Sequence, residues 1–176
     1  MEPEDAPFDP DDPGVQSDAA LNYLVNRIEA EMAELQLEHF SNSSAVALGM
    51  LLVELGTARA LPVAIGIRRS GQVLFHAALD GATPDNDLWL LAKSRTAERY
   101  AVPSLLVGLR ARLTGGRAED NPLFDPAVYA AHGGSFPLAV RGAGPVATVT
   151  VSGLPQLQDH DLVVEALRLH LHAADA

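Results

Sequence analysis

The chain contains no cysteine. Disulfides, thiolate catalysis, cysteine-ligated zinc and iron–sulfur clusters are therefore excluded from its chemistry. Lysine occurs once, at Lys93, and the 12 basic residues form no stripe along the chain. A phosphate backbone has no partner here, so nucleic-acid binding is excluded. No run approaches the roughly 20 consecutive apolar residues that span a bilayer, so no membrane insertion is expected. The opening "MEPEDAPFDPDDPGVQSD" has neither a basic n-region nor an apolar h-region. It reads as no signal or transit peptide, and the expected location is the cytoplasm.

What is present fits one core. The length of 176 residues suits a single domain, and 48% of the residues are hydrophobic. The net charge of −11 is unevenly spread: residues 1–18 hold seven acids, four prolines and no Lys or Arg, leaving 16 acids against 12 bases elsewhere. The expected organisation is a disordered, self-repelling acidic tail over 1–18 and one domain over 19–176.

Periodicity predicts the elements. Leu21, Leu24, Val25, Ile28, Met32 and Leu35 recur at helical spacing over 19–36. A second helix follows Ser41 or Ser43, with Val46, Met50 and Val53 as its apolar positions and Pro62 closing it. The period then changes: Val63, Ile65 and Ile67 alternate, Ser70-Gly71 marks a turn, and Val73, Phe75 and Ala77 alternate again. Thr83 and Pro84 start a helix over about 84–100. Pro103 opens a short helix through Leu113, and "DPAVYAAH" has room for one helical turn or two. "SFPLAV" and "PVATVTVSG" make a second hairpin around "RGAG", and Val163, Val164, Leu167 and Leu171 share one face of a closing helix. The order α-α-β-β-α-α-β-β-α implies an α+β fold, an antiparallel sheet of two hairpins with helices packed on it. Helices are expected on one face of that sheet. Ala64 and Leu74, apolar neighbours of the alternating residues, then leave a second face for a homo-oligomer to cover.

Several local patterns invite chemical readings. "HGG" at 132–134 is the kind of turn that forms an oxyanion hole, but no G-x-S-x-G nucleophile accompanies it, since "GGSFP" has Pro137 in place of the last glycine. "GAGPVA" at 142–147 matches a dinucleotide fingerprint, yet it lies between two strands with no following helix. None of the six histidines forms H-E-x-x-H, and "DHD" at 159–161 places acids where a helix start favours them, so no metal site is expected. Taken singly, Trp89 reads as core, Lys93 as a solvated end, and Asp85, Asn86 and Asp87 as a helix start that could also be aimed at a ligand. His132 sits either in a glycine turn feeding a strand or in the wall of a pocket.

Three blocks in order, "LPVAIGIRRSGQVLFHAALDGATPDNDLW", "YAAHGGSFPLAV" and "VTVSGLPQLQDHDLVVEAL", resemble an uncharacterised branch of the haem-degrading-domain family, the GlcG/HbpS-like proteins, over about residues 35–171. The resemblance implies a profilin-like α+β domain that assembles as dimers into larger homo-oligomers, with haem as a ligand of some relatives. The expected function is a cytoplasmic, homo-oligomeric small-molecule-binding domain, haem-binding or haem-degrading, with no settled catalytic activity. The expected ligand-binding residues are His132, Gly133, Gly134, Ser135, Asp85, Asn86, Trp89 and His160, placed in a cleft between subunits. The alternative is a non-catalytic oligomeric scaffold or chaperone-associated protein-binding module, because a fungal relative is linked to chaperone machinery for tail-anchored proteins.

Overall fold

The computed structural model describes residues 17–174. The expected acidic tail therefore lies, apart from Ser17 and Asp18, outside the described residues. Ser17 caps the first helix, α1 (Asp18–Glu34), by accepting from the Ala20 N–H at 3.3 Å. Helix α2 (Asn42–Ala58) starts at Ser41, whose side chain and that of Ser44 cap each other's backbone N–H groups. The first hairpin is β1 (Ala64–Arg69) and β2 (Gln72–Ala78). Ser70 and Gly71 both take positive φ at its turn, the hand that matches strand twist. Helices α3 (Pro84–Tyr100) and α4 (Ser104–Leu113) follow, then one 3₁₀ turn at Ala118–Asp120. The second hairpin, β3 (Ser135–Val140) and β4 (Gly144–Ser152), leads into α5 (Gln156–Ala174). "DPAVYAAH" forms turns rather than a helix.

The strands form one antiparallel sheet in the order β2-β1-β4-β3. Leu37, in the connection between α1 and α2, bonds the backbone of Ala139 and Arg141 and so covers the outer edge of β3. Alternation along β4 separates two interiors. Val149 and Val151 join Ile65, Ile67, Phe136 and Leu138 in the main core beneath α2 and α5. Thr148, Thr150 and Ser152 point the other way, towards α3, where Ser94 bonds Thr148 at 2.7 Å and Ser135 bonds Thr150 at 2.8 Å. A second apolar cluster joins α1 to α4 through Leu21, Leu24, Ile28, Leu105, Leu106 and Leu109.

Two expectations change here. Helices lie on both faces of the sheet, because α3 packs over β4, β3 and β1. Ala64 is covered within the chain, and Leu74 sits at a bulge and packs with the main core. The apolar second face thus needs no other subunit over those three strands. The buried stripe of α2 is also rotated by one residue. Ala45, Leu48, Gly49, Leu52 and Gly56 are buried, whereas Val46 and Met50 are 49% and 54% exposed. Small residues win this face because a Cβ at Gly49 would overlap the Phe75 ring and one at Gly56 would press on Leu79, so the helix approaches the sheet on its glycines. Among the described residues no helix is long and apolar enough to cross a membrane.

Candidate functional site

The start of α3 is fixed by its own cap: Asn86 Oδ1 accepts from the Thr83 backbone N–H at 2.7 Å. One turn along, Trp89 is 41% exposed, and a further turn along, Lys93 is 4% exposed. The single-residue readings of both are therefore inverted. The aromatic ring is at the surface of a cleft, and the ammonium is in the interior.

Lys93 is buried because Asp159 meets it. Their side chains lie 2.8 Å apart, and Asp159 is itself 1% exposed. Lys93 Nζ also donates to the Val151 carbonyl at 3.3 Å, and Asp159 accepts from the backbone N–H groups of Leu154 at 3.0 Å and Gly153 at 3.3 Å. Burial pushes the Asp159 carboxyl above its ordinary range, while Lys93 and the two N–H groups pull it back down. The acid in the first turn of α5 is thus one half of a buried ion pair as well as a favourable helix-dipole charge.

The loop carrying His132 is tied to α3 and α4. The Ala130 N–H bonds Thr96 Oγ1 at 3.0 Å and Ala92 O at 3.3 Å. Ser104 Oγ donates to the His132 carbonyl at 2.5 Å and accepts from the Ser135 N–H at 3.1 Å, pinning the glycine turn from beneath. The half-buried His132 ring then meets Trp89 edge-on, with centroids 5.4 Å apart and planes at 89°.

Trp89 and His132 form the shared wall of two adjoining clefts. One, of about 340 Å³, is lined by Asp85, Leu88, Glu119 and Tyr129 as well as the shared pair. The other, of about 320 Å³, is lined by Asn86, Lys93, Gln156 and Asp159 together with that pair. A smaller cavity of about 170 Å³ lies apart from them, between β2 and α3, beside the His76–Asp87 contact.

Of the eight expected site residues, Asp85, Asn86, Trp89 and His132 converge on these clefts. The others do not line them. Gly133 and Gly134 lie behind the wall, where Cβ atoms would overlap the carbonyl oxygens of Gln156 and Val151 respectively. Their absent side chains let the loop sit against α5 and β4. Ser135 is fully buried against Thr150. His160 is 1% exposed and faces α1, bonding Glu31 at 2.8 Å. Glu31 also binds Arg27 at 2.9 Å, and Arg27 pairs with Asp161. Burial pushes Glu31 upward, but His160 and then Arg27 outweigh it and hold the carboxyl below its ordinary range. The sequence reads Lys93 as a solvated end and Asp159 as a helix-start acid and does not single out Gln156, although the chain's sole lysine stands four residues after its sole tryptophan. Among the described residues no group of three or more His, Asp or Glu is arranged to hold a metal ion.

A four-stranded antiparallel sheet with helices on both faces defines a profilin-like α+β domain, with a cleft where α3 meets the β4–α5 connection. The chain belongs to the HbpS-like haem-degrading family, whose model matches residues 40–168. It is 54% identical over 151 residues to a UPF0303 protein of Streptomyces avermitilis, covering 86% of this chain and 93% of that one. A UPF0303 protein of Rhizobium etli is 47% identical over 147 residues, covering 84% and 89%. Among solved structures, the Ybr137w protein superposes with a TM-score of 0.78 at 28% identity over 86% of this chain and 90% of that one. The structure of a PduOC:heme complex has a TM-score of 0.62 at 18% identity over 73% and 93%, a likeness of fold alone.

Proposed function

We propose that this protein is a cytoplasmic, self-associating domain that binds a small molecule in the paired clefts around Trp89 and His132, with haem as the ligand. The observation that carries the reading is the meeting of the α3 start and the His132 loop on one wall. Residues 47 positions apart in the helix of Asp85 and the loop of His132 line the same cavity. Support for haem comes from the family's description and from a structural neighbour solved with haem bound.

The residues present fit such a group in one respect, an imidazole half-buried against an aromatic edge. His132 would hold the iron through a ring nitrogen, with Trp89 fixing the ring's orientation. Bound haem would supply an iron-centred redox group. The chain's own contribution is to bind and orient it and to keep its face from water. His160 takes no part, because it is 1% exposed, lines neither cleft and bonds Glu31 through Nε2.

Haem titration followed at the Soret band tests this reading. Wild type is expected to saturate at micromolar haem, His132→Ala to lose the band's position and intensity, and His160→Ala to retain them. The absence of any saturable band in the wild type refutes haem as the ligand. Support for self-association comes from exposed apolar side chains, Val46 and Met50 on α2 and Leu88 on α3.

A further inference from the structure

The cleft beside α5 holds side-chain donors that the fold itself leaves uncommitted. Gln156 is the most telling. Its Oε1 accepts the Gly133 N–H at 3.1 Å, which sets the orientation of the amide and turns Nε2 into a pure donor. The residue is 6% exposed, lines the cleft, and its Nε2 has no hydrogen-bond partner among the described residues. A buried donor left unmet is unfavourable, and an acceptor arriving from outside the fold would satisfy it.

Two further donors line the same cleft. Lys93 commits two of its three N–H groups, to Asp159 and Val151, and retains one. Asn86 uses its oxygen on the Thr83 backbone and retains its NH₂ group. The local charge also favours an anion. Asp159 is already matched by Lys93 and two backbone N–H groups, and Gln156 opens a helix of 19 residues whose positive end faces this connection.

We infer that the cleft between Trp89 and the start of α5 binds a carboxylate, with Gln156 Nε2 and the remaining Lys93 N–H as its donors. This rests on the reading of that cleft as a ligand site but not on haem being the ligand. A carboxylate could reach it as a haem propionate or as a free small carboxylic acid. Trp89 and His132 would flank the rest of the molecule in either case.

Trp89 is the chain's single tryptophan, so its fluorescence reports on this cleft. The full chain is titrated with benzoate and with benzamide, its neutral counterpart, and in parallel with haem and haem dimethyl ester at the Soret band. Saturable quenching by benzoate, with benzamide at least about ten-fold weaker, is expected. Gln156→Glu keeps an oxygen for the Gly133 N–H but replaces the donor with an acceptor, and should weaken benzoate about ten-fold or more. Gln156→Met, which removes the donor without burying a charge, should do the same, and urea midpoints verify that each variant is folded. Haem binding more tightly than its ester identifies the propionate as the source. Equal binding of haem and ester, with benzoate still selected over benzamide, identifies a free carboxylic acid. Benzoate binding without any haem binding upholds the carboxylate site and refutes the haem reading. Benzoate binding no better than benzamide, or undiminished in both Gln156 variants, overturns the inference.

Discussion

Replacing Lys93 by Met should destabilise the protein in a way that depends on pH. The substitution keeps the length and apolar stem of the side chain and removes only the ammonium. Asp159, 1% exposed, is then left with the N–H groups of Leu154 at 3.0 Å and Gly153 at 3.3 Å. Breaking a buried pair by removing one partner costs about 3–5 kcal/mol, and the two remaining N–H groups and the helix dipole place the expected loss near the lower end, about 3 kcal/mol. Asp159 already stands above its ordinary range through burial, and Lys93 is the chief cause holding it down. Without Lys93 the carboxyl rises further. A carboxyl raised in the folded state stabilises the fold in acid, and that contribution is lost as pH climbs through the folded-state value. The deficit relative to wild type should therefore be greatest at neutral pH and shrink on acidification. Urea denaturation followed by circular dichroism across that range measures it. Lys93→Met combined with Asp159→Asn should recover most of the loss at neutral pH, because the amide oxygen still accepts from Leu154 and no charge is left buried. A neutral-pH deficit below about 1 kcal/mol, the worth of an exposed pair, or one that stays flat with pH, refutes the assignment.

Glu31 predicts the opposite slope. Its carboxyl is held below the ordinary range, so its stabilisation is present at neutral pH and lost as pH falls through the folded-state value, and Glu31→Gln should differ from wild type at neutral pH but converge with it in acid. Gly133→Ala drives a methyl into the Gln156 carbonyl and should cost more than about 3 kcal/mol in urea denaturation or prevent folding. Gly142→Ala, in open space at φ +80°, should cost only about 1–2 kcal/mol by the same measurement. Light scattering should give a particle larger than the 18.6 kDa monomer, and Val46→Glu with Met50→Glu should reduce its mass if α2 forms the contact.

Much of the fold was legible locally. The turn at Ser70-Gly71, the Thr83-Pro84 helix start and the Val/Thr alternation of β4 each follow from backbone sterics or a two-residue period, and each lies where the pattern places it. The face of α2 was not legible, because Val46, Met50 and Val53 form as good an apolar stripe as the one that is buried. The choice fell to Gly49 and Gly56, whose missing side chains admit Phe75 and Leu79 from a different element. The site was half legible. Asp85, Asn86, Trp89 and His132 are residue types that bind ligands, whereas Ser135 and His160 share that chemistry but are buried away from the clefts against Thr150 and Glu31.

The amino-acid sequence by itself determined the exclusion of cysteine chemistry, which composition alone settles, and the order of the elements with their caps and turns, which depend on neighbours within a few residues. Only the tertiary structure decided that the lone lysine is interior, that Gln156 has an unmet donor, and that a helix start and a glycine turn share one wall. The reason is physical: whether a polar group can be buried depends on the partner that meets it. Lys93 meets Asp159 from 66 residues away, and Gly133 reaches Gln156 from 23.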